Sequence, residues 1–163
     1  MRPLPTNHLD SRMRTVWRAT SALRILIVLL CVLVGIVFPI YAVGGGSLPL
    51  ALVVALVVLF GIDLVVQAFI VPGMRYDRWL FEVGENELDI SQGIIWRKRT
   101  IIPFVRVQNT DTKQGPILRW LGLASVTVAT AAGTHTIPGL DLNEADRLRD
   151  VIAEQARLAQ EDV

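Results

Sequence analysis

Cysteine is almost missing from this chain. Cys31 is the single one among 163 residues, which excludes an internal disulfide framework and any cysteine-based zinc site. Histidine is as sparse, and His8 and His135 stand too far apart to form a histidine-rich metal site. Charge is thin, at 19% of residues against the usual quarter or so. The 16 Lys and Arg nearly cancel the 15 Asp and Glu, leaving a net charge of +1, so bulk electrostatics offer no case for nucleic acid. Catalytic signatures are missing too: no Gly-rich phosphate loop, nucleophile elbow or metal-ligand spacing occurs. Glu82, Glu85, Glu87 and Asp89 cluster in sequence, but a strand–turn–strand surface accounts for them. His135 has no evident nucleophile to serve. The expectation is a protein without catalysis, cofactor or metal.

Apolar residues are abundant instead, at 52%, and they are concentrated. Between Arg24 and Asp63 no side chain is charged. A hydrocarbon core of about 30 Å takes about 20 helical residues, so this stretch is too long for one span and suits two. Gly44, Gly45, Gly46 and Ser47 mark the break, followed by Leu48-Pro49, where proline fits a first helical turn. The sequence therefore predicts spans over 25–43 and 48–71, preceded by a basic segment over 1–24. A cleaved signal peptide would show one shorter apolar core before polar sequence, not a second apolar run. The rest of the chain is too small to bury such a hairpin in water.

Arg2, Arg12, Arg14, Arg18 and Arg24 precede the first span, against the lone acid Asp10, and Arg75 and Arg78 follow the second. Positive flanks prefer the cytoplasm, so the expectation is a multi-pass protein of the cell membrane with both termini inside. Asp63 is the one acid within the second span. At about 1.5 Å per residue it lies roughly 22 Å along the helix from Leu48, near the cytoplasmic headgroups. An ionisable group there reads as a proton or ion ligand, or as a pairing group for a basic flank or another subunit. Gln67 follows one turn on, on the same face.

From about Arg75 the period changes to two. Leu88 and Ile90 alternate with Glu87, Asp89 and Ser91 as a half-buried strand. An opening strand over 79–83 precedes it, and further strands are expected over 94–102, from 105 to about 112, up to 131 and over 134–137. Pro103 closes one of them, because proline cannot donate to a ladder. Asp141-Leu142-Asn143-Glu144 reads as a capping box. The helix after it carries Ala145, Leu148, Ile152, Ala156 and Ala159 on one face. Ile117 to Leu121 form a helical turn between strands.

These residues carry a resemblance. Two N-terminal spans, then Thr100-Ile101-Ile102-Pro103, Arg106-Val107-Gln108, Gln114-Gly115-Pro116, Arg119, Gly122-Leu123-Ala124-Ser125-Val126 and Ile137-Pro138-Gly139-Leu140 are similar to the bacterial pleckstrin-homology-like membrane proteins of the YdbS type. The resemblance implies a two-helix transmembrane hairpin followed by a PH-like domain over 75–163. That domain would be a bent antiparallel β-barrel of about six to seven short strands capped by a C-terminal α-helix, in agreement with the periodicity. It also implies a protein partner, a larger membrane protein carrying repeats of the same domain, and leaves a homo-oligomer open.

Arg106, Gln108, Gln114 and Arg119 cluster around one loop, either to hydrogen-bond it in place or to form a recognition surface. Trp120 either fills the barrel mouth or serves as an aromatic anchor for a partner. Phosphoinositide-binding PH domains use a basic first loop. Here that loop is Gly84-Glu85-Asn86-Glu87, which repels a phosphorylated headgroup. The basic run is Arg97, Lys98 and Arg99, with alternation setting Lys98 on the opposite face. Near a bilayer it attracts anionic lipid by about 1 kcal/mol per basic residue. The functional expectation is a tethered interaction module of a membrane complex, the alternative an anionic-lipid-binding or membrane-sensing module.

Overall fold

The computed structural model describes residues 4–44 and 49–161. Gly45, Gly46, Ser47 and Leu48, where the sequence places the turn between spans, lie outside the described residues. The chain forms two compact units, Trp17–Gly73 and Met1–Val16 together with Met74–Val163.

The first unit is built from two helices, α1 (Met13–Val43) and α2 (Leu50–Asp77). Both are long and apolar enough to cross a bilayer. Each extends past the expected span, α1 at its start and α2 at its end. Leu26, Leu30 and Val34 on α1 and Val54, Val57 and Val58 on α2 remain exposed. Water penalises such surface, whereas lipid chains cover it without cost. Facing rows, among them Leu29, Leu33, Phe60 and Leu64, border an apolar cleft of about 420 Å³.

Each helix contains one π-helical turn, Leu33–Val37 in α1 and Val66–Ile70 in α2. Both have the same sequence cause. Pro39 and Pro72 each follow two residues after the turn, so the carbonyl four residues before each ring, on Gly35 and Ala68, falls inside it. A proline ring clashes with that carbonyl and lacks the N–H to reach it, and a widened turn relieves both.

Among the described residues the second unit holds seven strands in two antiparallel sheets. β1 (Asn7–His8), β2 (Leu80–Val83), β3 (Glu87–Gln92) and β4 (Lys98–Pro103) form one sheet in that order. A 3₁₀ turn, Phe104–Arg106, leads to the second sheet. There β5 (Val107–Lys113), β6 (Leu123–Thr130) and β7 (Gly133–Asp141) lie in order, with the short helix α3 (Pro116–Trp120) between β5 and β6. The chain ends in α4 (Leu142–Glu161). The fold is the bent-sheet, helix-capped one expected, except that the two sheets do not close into one barrel.

The core follows from the alternation. Leu88 and Ile90 from β3, Ile102, Phe104, Val107, Val126, Ile137 and Leu140 are buried, and α4 closes over them with Ala145, Ile152 and Ala156. Asp141 caps α4: its Oδ1 accepts from the Asn143 amide at 3.1 Å. Among the described residues Glu144 makes no return bond, so the expected capping box is half formed. Pro138 lies inside β7 rather than at a strand end. It is tolerated because Pro138 and Gly139 together oppose Ser125 in a bulge.

Two further departures matter for function. The segment read as a basic tail joins this unit: Asn7 and His8 pair with Phe81 and Leu80, and Leu9, Met13 and Val16 are buried. The strand expected over 94–102 begins only at Lys98. Gly93, at φ +117°, turns the chain so tightly that a Cβ there would stand 1.9 Å from the Trp96 carbonyl oxygen. Residues 93–97 therefore form a loop, and Arg97 falls outside the strand alternation.

Candidate functional site

Among the described residues β5 pairs only with β6, so its outer edge carries backbone N–H and C=O groups without a sheet partner there. Beside that edge runs the last half of α4, where small side chains at Ala153 and Ala156 leave room. The result is a groove of about 240 Å³ bordered by Val107, Gln108, Asn109 and Thr110 on the strand and Arg157 and Gln160 on the helix. Gln160 Nε2 donates to the Val107 carbonyl at 3.1 Å and Thr112 Oγ1 to Asp146 Oδ1 at 3.2 Å, which hold helix and strand together at both ends. Arg157 is the groove's cation, restrained by Glu154 at 2.7 Å and Glu161 at 3.4 Å. Gln108 occupies the register shift between Val107 and Asn109. An open edge next to a shallow groove is the geometry that receives an extended peptide as an added strand.

The residues singled out in the sequence do not gather at one place. Gln108 borders this groove. Gln114 Nε2 donates to the Leu123 carbonyl at 2.9 Å, so it fastens the β5–α3 connection. Arg106 is exposed on the 3₁₀ turn and Arg119 on α3. Trp120 is 83% exposed, which places it on the surface and not in a barrel mouth. Arg97 and Lys98 are exposed, and among the described residues neither forms an ion pair. Arg99 differs: its Nε donates to both Asp89 carboxylate oxygens, at 2.9 and 3.1 Å, across the β3–β4 ladder. It is thus drawn out of the basic run. Asp63 and Gln67 are half-buried, and among the described residues neither has a hydrogen-bonded side chain. Gln67 falls within the π turn, so the regular α spacing assumed between them does not hold. The groove escaped sequence reading because Ala156 belongs to the helix's buried stripe and Ala153, exposed beside it, gives no signal of its own.

A second polar cluster fastens the N-terminal segment. Arg12 donates to Asp10 Oδ2 at 2.8 Å, to Asp141 Oδ2 at 3.0 Å and to the Leu121 carbonyl at 2.9 Å. The Asp10 amide donates to the Gly139 carbonyl at 2.9 Å. Tyr76 braces the same segment through its hydroxyl, which donates to the Leu9 carbonyl at 2.9 Å, and the Arg14 guanidinium lies 4.0 Å from its ring centre. Hydrogen bonds from Arg12 hold both carboxyls, Asp10 and Asp141, below the ordinary range; the Asn143 amide adds to the effect on Asp141. A depressed folded-state pKa contributes stability present above the unfolded value and lost as pH falls through the folded one. The segment is therefore expected to stay docked at neutral pH and to loosen below about pH 4. A smaller protection factor at the Asp10 amide in acid, taken against the intrinsic rate at the same pH, with β6 still protected, checks this; equal loss of protection at both sites would refute it.

The bacterial PH domain family matches residues 21–156, well over half the chain. The chain belongs to that family, and it is a transmembrane protein carrying a bacterial PH domain. Among curated proteins it is similar to the UPF0699 transmembrane protein YdbS of Bacillus subtilis (strain 168), with 50% identity over 99 residues. That alignment covers 61% of this chain and 62% of the relative, so the match spans less than two thirds of the relative's length. No solved structure matches.

Proposed function

We propose that this protein is a non-catalytic scaffold of a membrane complex. Its PH-like domain, at the cytoplasmic face of the cell membrane, receives an extended segment of a larger membrane-protein partner along β5. The observation that carries this reading is the open β5 edge beside the alanine-lined face of α4. Anchoring raises the effective concentration of the two partners, so a shallow groove suffices. The non-catalytic part rests on the sequence, which carries no nucleophile–base arrangement.

Two features support the orientation. Arginines flank both spans on their polar sides. Asn7 and His8 share a sheet with strands that follow the second span, which agrees with an even number of crossings and with both termini on one side.

A photoreactive amino acid at Gln108, in cells, tests the proposal. The expected product is an adduct with a larger membrane protein, strongly reduced by Ala153→Arg. That substitution fills the groove from an exposed helix position and leaves the core intact. An adduct the mass of two copies of this chain, an adduct indifferent to Ala153→Arg, or no protein adduct would each overturn it. External protease that digests the domain in intact spheroplasts would overturn the orientation.

A further inference from the structure

The β3–β4 loop presents side chains that folding leaves uncovered. Ile95 and Trp96 are each 86% exposed, and Arg97 and Lys98 follow them, exposed as well. Between Asp89 and Asp111 the sequence contains no acidic residue, and the charged side chains that border the hollow at the loop's base, Arg75 and Lys98, are both basic.

The loop is held in position. Gly93 folds its base back on the Trp96 carbonyl. Arg78 Nη1 donates to the Ile94 carbonyl at 3.0 Å, and Trp79 Nε1 donates to Gln92 Oε1 at 3.1 Å. Arg78 and Trp79 follow directly on Asp77, the last residue of α2. The loop is thus tied to the residues that directly follow α2 in the chain.

We propose that Ile95 and Trp96 form an interfacial anchor that enters the headgroup region of the adjoining leaflet, with Arg78, Arg97 and Lys98 on anionic phospholipid headgroups. An indole at the water–hydrocarbon boundary buries its ring while its N–H stays hydrated. Long basic side chains reach up to phosphates from beside it. Arg99 takes no part, because Asp89 engages it. A protein contact would also suit an exposed tryptophan and arginines, but the basic residues bordering the loop and its attachment to the residues that follow the second span favour the lipid surface. The anchor does not depend on the β5 groove, and the two stand or fall separately.

The test uses the full chain with Cys31→Ser and Ile95→Cys, labelled with an environment-sensitive fluorophore. It is reconstituted into phosphatidylcholine vesicles with or without phosphatidylglycerol. Ala131→Cys, on the exposed β6–β7 turn, serves as the water-facing reference. The label at position 95 is expected to be quenched by lipids carrying a nitroxide near the headgroup, to resist aqueous acrylamide, and to do both more strongly with phosphatidylglycerol. Arg97→Gln and Lys98→Gln are each expected to lower the ratio of docked to undocked loop about fivefold, for the one basic charge removed. Equal acrylamide access at positions 95 and 131 in both lipid mixtures would sink the proposal. So would protection seen only in native membranes and accompanied by a protein adduct.

Discussion

Phe104→Ala is expected to cost the domain about 3–5 kcal/mol, the range for removing a fully buried phenyl ring and leaving a cavity. Phe104 is completely buried. It sits on the 3₁₀ turn that leads from β4 to β5, where its amide donates to the Asn86 carbonyl at 3.0 Å. The same turn packs against α4, so one ring supports both sheets and the helix that closes them. Amide exchange along β6 in detergent-solubilised protein should accelerate by about two to four orders of magnitude. Trp120→Ala, a larger truncation at an exposed site, is expected to stay within about 0.5 kcal/mol. Comparable losses from the two would mean that Phe104 does not hold the core.

The second large effect is expected at Gly139. Its φ of +62° lies in the left-handed region, and a Cβ there would meet Met13 Sδ at 2.4 Å and Met13 Cβ at 2.8 Å. A side chain would add about 1–2 kcal/mol for the backbone and about 1–3 kcal/mol for forcing Met13 away. Gly139→Ala should therefore detach the N-terminal segment, exposing the Asp10 amide to exchange while β6 keeps most of its protection. Gly139→Asn, which tolerates the left-handed backbone but keeps the Cβ, should recover only the backbone share. Full recovery with asparagine would show that Met13 does not pack there as described.

Both predictions bear on the proposed scaffold through the same geometry. The β5 edge is usable only while Phe104 and α4 hold it in place. The N-terminal strand matters differently: it covers the outer edge of β2 in the other sheet, so its loss uncovers that edge without changing the pairing of β5. Both effects act through the fold, not on a contact surface, so partner crosslinking at Gln108 should fall with Phe104→Ala in proportion to the folded fraction.

Sequence and structure divide along a physical line. The uncharged stretch between Arg24 and Asp63, the period-two alternation of Leu88 and Ile90, and the helical spacing of Ala145, Ile152 and Ala156 already specify two spans, an antiparallel sheet domain and a closing helix. Each is a local property: desolvation sums along the chain, and a repeat of two or 3.6 declares which face is buried. The π turns were also written locally, in Pro39 and Pro72. What only the tertiary structure decided are relations between distant residues: Asn7 and His8 pairing with β2, Arg12 bridging Asp10 and Asp141, Asp89 taking Arg99 out of the basic run, and the alanines of α4 opening a groove beside β5. The loop at Ile95 and Trp96 belongs here too, since apolar residues after a glycine read as strand until Gly93 is seen to turn the chain. No periodicity encodes such contacts, because the free energy of each depends on which element arrives opposite, and that is settled when the sheets and α4 pack together.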